Sequence, residues 1–502
     1  MVMRIPRKRT DAPVIDSWYL TLYMRNHRRW LLVGAIGVGG YILIRSLATN
    51  GARLDHVALP WLLLVALSTV ASLGWHIYKS KQALNRSDLS VRVMKTEDFE
   101  AYLRAVELPP SLMQAGYERV EGGRSKDLYR THEYAGCSVT SKRVNRELRR
   151  RSQARDTLFE VRVPRRARLF GSFPGAAWVV DKLASVIGWH WTLTRLWPLP
   201  LLSRQVMPAV VKAMKNYAEG ALTNERKIRL VGDLLPPSGE KWPVDVERTD
   251  YLSDLVTAHL TGIQVRDNEG HTLYDGLSLP YTFAGGKPSI KPLSESSCSN
   301  QLGVSGVVLC LSTLRGELRG HIYFVLQGKA GVASPGMLAP SGSGSLDWSD
   351  YSSAGGDAIA FGMWREMLEE TYGGDWSEIV EREPLEAVLT GFGRMLHRGG
   401  KPEFYGLMVM RREEDEFGIH AKEKGLIEKL LIERVYPVTA ARFTDVLRTF
   451  MRSPPPKQVL SHPLFMCLAL LVDYLIEEPE HFEALVARVA RGQSLGAGGA
   501  PQ

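Results

Sequence analysis

The sequence predicts an α/β protein in which a transmembrane helical hairpin at the N-terminus precedes a cytoplasmic part built from strands and helices. Two long apolar segments, residues 31–48 and 57–78, predict the hairpin. Later runs rich in β-branched and aromatic residues, followed by a helix-like segment, predict the α/β part. The chain has 502 residues, which is enough for two or three folding units.

Length and flanking charge support the hairpin. The first segment contains Arg45 as its charged residue, and the second contains no formal charge. A helix needs about 20 residues to cross the hydrocarbon core, and the first segment reaches this length if Arg45 extends to the interface. Basic residues lie before the first segment and after the second, so both chain ends are expected in the cytoplasm. Small residues at helical spacing, Ala35 with Gly39 and Ser68 with Ser72, fit packing within the hairpin or self-association between protomers.

Three other interpretations of this region stay open. The run GAIGVGG, with Asp55 further on, imitates a dinucleotide-binding fingerprint, although YILI follows where an amphipathic helix should begin. A cleaved signal peptide would end near SLA, but a long polar stretch precedes the segment and a second apolar segment follows it. A buried hairpin in a soluble protein is the third interpretation.

Charge and cysteine usage limit the classes of partner. The formal net charge is +9, which fits lipid headgroups, nucleotides or simply a solvated basic surface. The four cysteines are Cys137, Cys298, Cys310 and Cys467, and they form no CxxC pair. Reduced thiols in a cytosolic protein are therefore expected rather than a zinc site or a disulfide framework.

The middle of the chain carries fewer signals. Residues Thr96–Ala105 have a helical pattern. Residues 142–168 are densely basic and would contact anionic lipid, bind phosphates or face water. Residues 189–211 are rich in Trp, Leu and Pro, and their charges and prolines favour core or interfacial packing over a third span.

The C-terminal part predicts a sheet with helices. Residues 304–312 and 321–327 read as an antiparallel pair of strands, with Gly316 and Gly320 between them. A loop rich in Gly, Pro and Ser leads to a predicted helix over residues 357–374. The segment LEAVLTGFGRMLHRGGKPEFYGLMVM predicts two strands around a tight basic turn, and LFMCLALLVDYLIEE predicts a helix that packs on the sheet.

Three carboxylates of the predicted helix form the first candidate site. Glu369 and Glu370 lie three and four residues after Glu366, so all three carboxylates can project on one side of a helix. Their mutual repulsion would be neutralised by a hard divalent cation such as Mg²⁺, which also binds phosphate oxygens. The alternative is a solvated acidic face.

The predicted basic turn forms the second candidate site. Its cationic and imidazole side chains would bind those phosphates of a ligand that the metal at the carboxylates does not contact. Alternatively, they belong to a solvated loop. These residues are Arg394, His397, Arg398 and Lys401.

The string REMLEETYGG resembles the Nudix box, which has the pattern G, five residues, E, seven residues and REUxEExGU, where U is aliphatic. The matching residues are Arg365, Glu366, Met367, Glu369 and Glu370. Three positions depart from the pattern: Asp357 replaces Glu, Tyr351 replaces the first Gly, and Gly373 lies one residue late. Because the carboxylates match while the loop before them departs, the resemblance supports binding more strongly than hydrolysis.

The order of parts is similar to that of the membrane Nudix effectors of bacterial cyclic-oligonucleotide-based antiphage signalling systems (CBASS). This resemblance implies an α/β/α Nudix-type domain with a mixed sheet that senses a cyclic nucleotide made by a partner synthase. Binding would assemble the hairpins, disrupt the inner membrane and halt growth. The implied domains are a cytoplasmic N-terminus (1–29), the hairpin (30–80), a middle region of uncertain fold (81–235), the Nudix-type domain with C-terminal helices (236–490) and a disordered tail (491–502).

Two further functions remain open. In a membrane-tethered Nudix hydrolase, Glu366, Glu369 and Glu370 would hold Mg²⁺ and cleave a nucleoside diphosphate linked to another moiety. Arg365 would position the carboxylates by pairing with Glu369 or Asp357. A structural scaffold with a Nudix fold would bind no nucleotide.

Overall fold

The computed structural model describes residues 2–4, 90–120, 137–154, 159–162, 225–237, 239, 242–251, 254, 257–266, 272–284, 286–328, 334, 336–354, 358–372, 386–412, 419, 427–455 and 458–492. The helices in these ranges are α1 (Thr96–Ala105), α2 (Pro110–Gln114), α3 (Lys142–Ala154), α4 (Trp348–Ala354), α5 (Ala358–Thr371), α6 (Ala440–Arg452), α7 (His462–Glu477) and α8 (Pro479–Ala490). The strands are β1 (Val2–Arg4), β2 (Ser90–Val93), β3 (Tyr117–Arg119), β4 (Ser138–Ser141), β5 (Glu160–Arg162), β6 (Arg226–Leu230), β7 (Pro243–Asp250), β8 (Ile263–Arg266), β9 (Thr272–Asp275), β10 (Tyr281–Ala284), β11 (Lys287–Ile290), β12 (Gly303–Leu314), β13 (Glu317–Gln327), β14 (Leu338–Ala339), β15 (Gly342–Ser345), β16 (Glu386–Met395), β17 (Lys401–Arg411) and β18 (Ile427–Val435).

The predicted transmembrane hairpin requires correction. None of the helices in the described ranges combines the length and the apolar character needed to cross a bilayer. The longest of them, α7, has 16 residues, whereas a span takes about 20. The predicted fold class is therefore wrong in its transmembrane hairpin. The structure supports a mixed α/β protein. The predicted two-pass inner-membrane location depended on the hairpin, so it is contradicted together with the hairpin. Residues 31–48 and 57–78 themselves lie outside the described residues.

A mixed sheet of nine strands organises the described part of the chain. Its strands follow the order β14-β13-β12-β17-β16-β4-β3, with β15 paired to β12 and β18 paired to β13. Strands β12 and β17 run parallel, and the other pairs in this sheet are antiparallel. Both predicted strand pairs are confirmed, with Leu309 opposite Ile322 in one and Phe392 opposite Phe404 in the other.

Helices cover both faces of this sheet because its central strands are apolar on both sides. Along β12, Val304 and Val308 belong to the core under α5, whereas Val307 and Leu309 belong to the core under α6, α7 and α8. This alternation follows from the two-residue period of a strand. Each large apolar side chain buried in this way contributes about 1.5–3 kcal/mol. The predicted packing of α7 on the sheet is confirmed by its contacts with β12, β16 and β17.

The sheet takes strands from both sides of position 236, where the sequence predicted a domain boundary. Strand β4 pairs with β16, and β3 pairs with β4, so the chain before residue 142 extends one edge. Helix α3 then packs on β16. The helix predicted over Thr96–Ala105 is confirmed as α1. The remaining predictions for residues 189–211 and 493–502 concern positions outside the described residues.

Candidate functional site

Helix α5 carries the predicted carboxylates and lies very close to the short strand β15. A Cβ atom at Gly342 would stand 2.3 Å from the Met367 Cα atom, and one at Gly344 would stand 2.1 Å from the carboxyl carbon of Glu366. Two glycines are therefore required for this approach. Met363 and Met367 fill the core beneath the helix, which fixes the helix rotation and directs Glu366 towards β15.

Arg365 is the centre of an ion-pair network at this contact. Its Nε and Nη2 atoms donate to the two carboxylate oxygens of Asp350, at 2.9 and 3.0 Å. Its Nη2 atom also donates to Glu366 Oε1 at 2.9 Å, and its Nη1 atom donates to Glu369 Oε2 at 2.9 Å. The predicted pairing of Arg365 with Glu369 is thus present. Asp357, the other predicted partner, lies outside the described residues.

Burial and charge act in opposite directions on this guanidinium. Burial lowers the pKa of Arg365, but the carboxylates around it, with Glu366 the largest contributor, raise the pKa above its ordinary value. The side chain is 8% exposed and stays charged. A buried cation of this kind is tolerated because several acceptors surround it.

Glu366 is a largely buried carboxylate of the helix. Its side chain is 13% exposed. Burial raises the pKa of Glu366 to about 6, while Arg365 and Lys227 act in the opposite direction. A carboxyl group with this pKa exchanges its proton near neutral pH, which is the property required of a general acid or base.

Lys227 of strand β6 brings a second cation to the same place. Its Nζ atom lies 2.8 Å from Glu225 Oε2 and 2.5 Å from Asp347 Oδ1. Burial lowers the pKa of Lys227, but Asp347, Glu366 and Glu225 outweigh it and the pKa is raised to about 12. Lys227 therefore remains charged.

These residues together are called the acidic cluster below. It consists of the carboxylates Glu225, Asp347, Asp350, Glu366 and Glu369 with the cations Lys227 and Arg365. Five carboxylates surround two cations, so the cluster carries an excess of negative charge. Glu370, the third predicted ligand, lies half-buried on the same helix and is not a partner of Arg365.

The arrangement does not fit the Mg²⁺ ion that the Nudix resemblance implies. Within the described ranges, no group of three His, Cys, Asp or Glu residues is placed to hold a metal ion. The physical reason is visible in the network: the Arg365 guanidinium binds both Glu366 and Glu369. The positive charge that the sequence argument assigned to a divalent cation is supplied by the chain itself.

The basic turn holds four predicted phosphate ligands in different environments. Arg394 is fully buried, and its Nη1 atom lies 2.8 Å from Asp233 Oδ1. Its Nε and Nη2 atoms donate to the carbonyl oxygens of Gly400 and Lys291, each at 3.0 Å. All three nitrogens of the guanidinium are engaged, so Arg394 stabilises the turn from inside.

The other three residues of the turn differ in exposure. Burial lowers the pKa of His397 well below its usual value, and its ring centre lies 4.8 Å from that of His462. Lys401 is buried, with its Nζ atom 3.4 Å from Glu403 Oε2. Arg398 is half-buried. It is the member of the turn best placed to contact a ligand.

Two connections link the acidic cluster to the basic turn. Gly303 of β12 lies opposite Ser345 on one side and Glu403 on the other, so β15 and the first residues of β17 flank the same strand end. Charges of both groups act on Tyr251: burial raises the pKa of Tyr251, with Asp254 acting in the same direction and Lys227 and Arg398 opposing it.

Several residues of the site carried no sequence signal. Lys227 lies in the ordinary strand RKIRL, and its partner Asp347 is contributed from far along the chain. Asp347 and Asp350 are three residues apart shortly before helix α5, and this spacing is the local signal that would have identified them. No protein-family model matches the chain, and no curated protein sequence matches it.

Proposed function

We propose that this protein is a nucleotide sensor of an antiphage signalling system, in which the Nudix-like α/β/α domain binds a cyclic nucleotide without cleaving it. One observation carries the proposal: Arg365 binds both Glu366 and Glu369. In a metal-dependent hydrolase these carboxylates would be available to a cation. Their engagement by a buried guanidinium supports binding over hydrolysis.

The surroundings of the cluster supply complementary ligand contacts. The charge of Arg398 acts on the pKa of Tyr251, as does that of Lys227 from the cluster, and the guanidinium group of Arg398 would bind phosphate oxygens. The excess carboxylates accept hydrogen bonds from ribose hydroxyl groups and from the amino groups of a base. A nucleotide has both kinds of group, so its phosphates would lie towards Arg398 and its sugar or base towards the carboxylates.

The test is calorimetric titration of the full chain with a panel of cyclic di- and trinucleotides, with Mg²⁺ or with a chelator, followed by product analysis of the same samples. The sensor predicts saturable binding of one cyclic species, equal affinity in both conditions, and recovery of the intact ligand. The change of Glu369 and Glu370 to Gln should leave binding in place. Cleavage of a linear nucleotide derivative, with no cyclic species bound, would overturn the proposal.

Hydrolysis is the second candidate because of Glu366. A carboxyl group with a pKa of about 6 is suited to accept a proton from water at neutral pH. The substrate class would be a nucleoside diphosphate linked to another moiety. Glu366→Gln should then abolish product formation while substrate binding persists, whereas a sensor yields no product with either protein.

A further inference from the structure

A groove with a volume of about 450 Å³ lies between helix α3 and the segment that follows β6. This volume is within the range of about 300–1,000 Å³ common for ligand sites. The groove is lined by Arg143, Arg146, Glu147, Arg150 and Arg151 on one side and by Pro236, Pro237 and Gly239 on the other. It is called the arginine groove below. Four arginines and one glutamate leave three positive charges at its lining.

Both walls of the groove are fixed to the body of the protein. On α3, Val144 and Leu148 are buried in the core, and buried Arg149 lies 3.0 Å from Glu477 of α7. In the opposite wall, the Tyr117 hydroxyl group donates to the Leu234 carbonyl oxygen at 2.6 Å. The groove is therefore formed before any ligand arrives, which reduces the entropy lost on binding.

The acidic residue of the groove orients two of its arginines. Glu147 accepts two hydrogen bonds from Arg150, at 2.6 and 2.9 Å, and one from Arg151 at 2.6 Å. These contacts, with the hydrogen bond from Arg150 first, lower the pKa of Glu147 to about 2. Arg151 also donates to the Gly239 carbonyl oxygen at 2.6 Å and lies 5.7 Å from the centre of the Trp242 ring.

The exposed arginines of the groove form a row along α3. Arg143, Arg146 and Arg150 are exposed and lie on one face of α3. With a rise of about 1.5 Å per residue, the row extends about 10 Å along the helix. Within the described chain, no residue forms a hydrogen bond or ion pair with the Arg146 guanidinium. Donors that converge on one point suit a single phosphate, whereas a row of donors suits successive phosphates of a chain.

We propose that the arginine groove binds the phosphodiester backbone of a single-stranded oligonucleotide. Guanidinium groups donate N–H groups to phosphate oxygens, and a row of them follows a backbone without reading its sequence. The site shares no residue with the acidic cluster, and the proposal does not depend on the function proposed above.

The experiment is fluorescence anisotropy of a labelled hexauridylate with the full chain, at several salt concentrations. Arg146→Glu is the test variant. Arg448→Glu is the matched control, because Arg448 is an exposed arginine within helix α6 and the change in net charge is the same. Circular dichroism and the thermal midpoint verify that both variants are folded.

We expect Arg146→Glu to weaken binding at least about tenfold and Arg448→Glu to change it less than about twofold. The slope of log K against log salt should fall by about 0.7 for each phosphate that an arginine no longer neutralises. Equal weakening in both variants would show a diffuse charge effect and overturn the site. Absence of binding by the wild-type chain at low salt, or binding of anionic phosphatidylglycerol vesicles in its place, would overturn the proposal as well.

Discussion

The carboxylate of Glu366 lies directly against the backbone of Gly344, so close that a Cβ atom at position 344 would stand 2.1 Å from the Glu366 carboxyl carbon. This contact removes water from one side of the carboxylate. The loss of water explains why burial is the largest cause of the raised pKa of Glu366. Gly344 thus contributes both to the close approach of helix α5 and to the raised pKa of its Glu366 carboxyl group.

Gly344→Ala should destabilise the protein. The added methyl group overlaps Glu366 atoms at the contact with β15, and forced displacement in a packed region costs about 1–3 kcal/mol. Gly232→Ala is the control, because no atom lies within 4 Å of a Cβ atom there. Urea unfolding monitored by tryptophan fluorescence compares the two. Equal midpoints for the two variants would mean that the Glu366 carboxylate is not held against position 344.

Glu366 should make stability depend on pH between about 4.5 and 6. Its pKa is raised from 4.5 to about 6 in the folded protein. In this window the folded protein binds more protons than the unfolded chain, so stability falls as the pH rises through the folded pKa. Below 4.5 the contribution is fully present, and above 6 about 2 kcal/mol has been lost.

Glu366→Gln removes this titration. The unfolding free energy of the wild type minus that of the variant should therefore fall by about 2 kcal/mol between pH 4.5 and 6.5. Glu428→Gln, at an exposed position of β18, is the control for the loss of one carboxyl group. If the unfolding free energy of the wild type minus that of Glu366→Gln instead rises with pH, the pKa of Glu366 is lowered in the folded protein.

Arg365 and Asp350 should be strongly coupled. Asp350 is 1% exposed and accepts two hydrogen bonds from the guanidinium. Arg365→Ala leaves buried carboxylates without their cation, which costs about 3–5 kcal/mol. In a double-mutant cycle with Asp350→Ala, the double variant should lose less free energy of unfolding than the sum of the two single variants, by about 1–3 kcal/mol. Arg365→Lys keeps the charge and should destabilise the protein less than Arg365→Ala. Strict additivity would exclude the pairing.

The sheet was predictable because its signals are local. Residues 304–312 and 321–327 are continuous apolar runs separated by Gly316 and Gly320, and they form the pair β12–β13. The helix α5 was predictable from its apolar period and the acids on one side. Hydropathy was less informative about the hairpin, because apolar composition does not distinguish a core helix from a membrane helix. Helix α7 has such a composition and is buried against the sheet.

The chemical environment of the site was not predictable from local sequence. Arg394 lies in a turn that reads as basic and solvated, yet it is fully buried because Asp233, 161 residues earlier, pairs with it. Likewise, Glu366 of α5 pairs with Arg365 of the same helix, and the charge of Lys227 from β6 acts on it as well. A pattern of spacing on one helix carries no information about partners from distant strands.

Arg394 and Arg398, only four residues apart, should therefore behave differently when changed to Ala. Arg394→Ala leaves Asp233 as an unpaired buried carboxylate and removes the support of the turn, which should cost about 3–5 kcal/mol in the free energy of unfolding. Arg398 is half-buried, and its charge acts on the pKa of Tyr251. Its replacement should change the free energy of unfolding by less than about 0.5 kcal/mol but weaken binding of the cyclic nucleotide about tenfold, since it removes a charged phosphate donor. Urea unfolding and calorimetric titration on the same preparations separate the two effects. If Arg398→Ala instead lowers stability and leaves affinity unchanged, the ligand's phosphates do not lie at the basic turn.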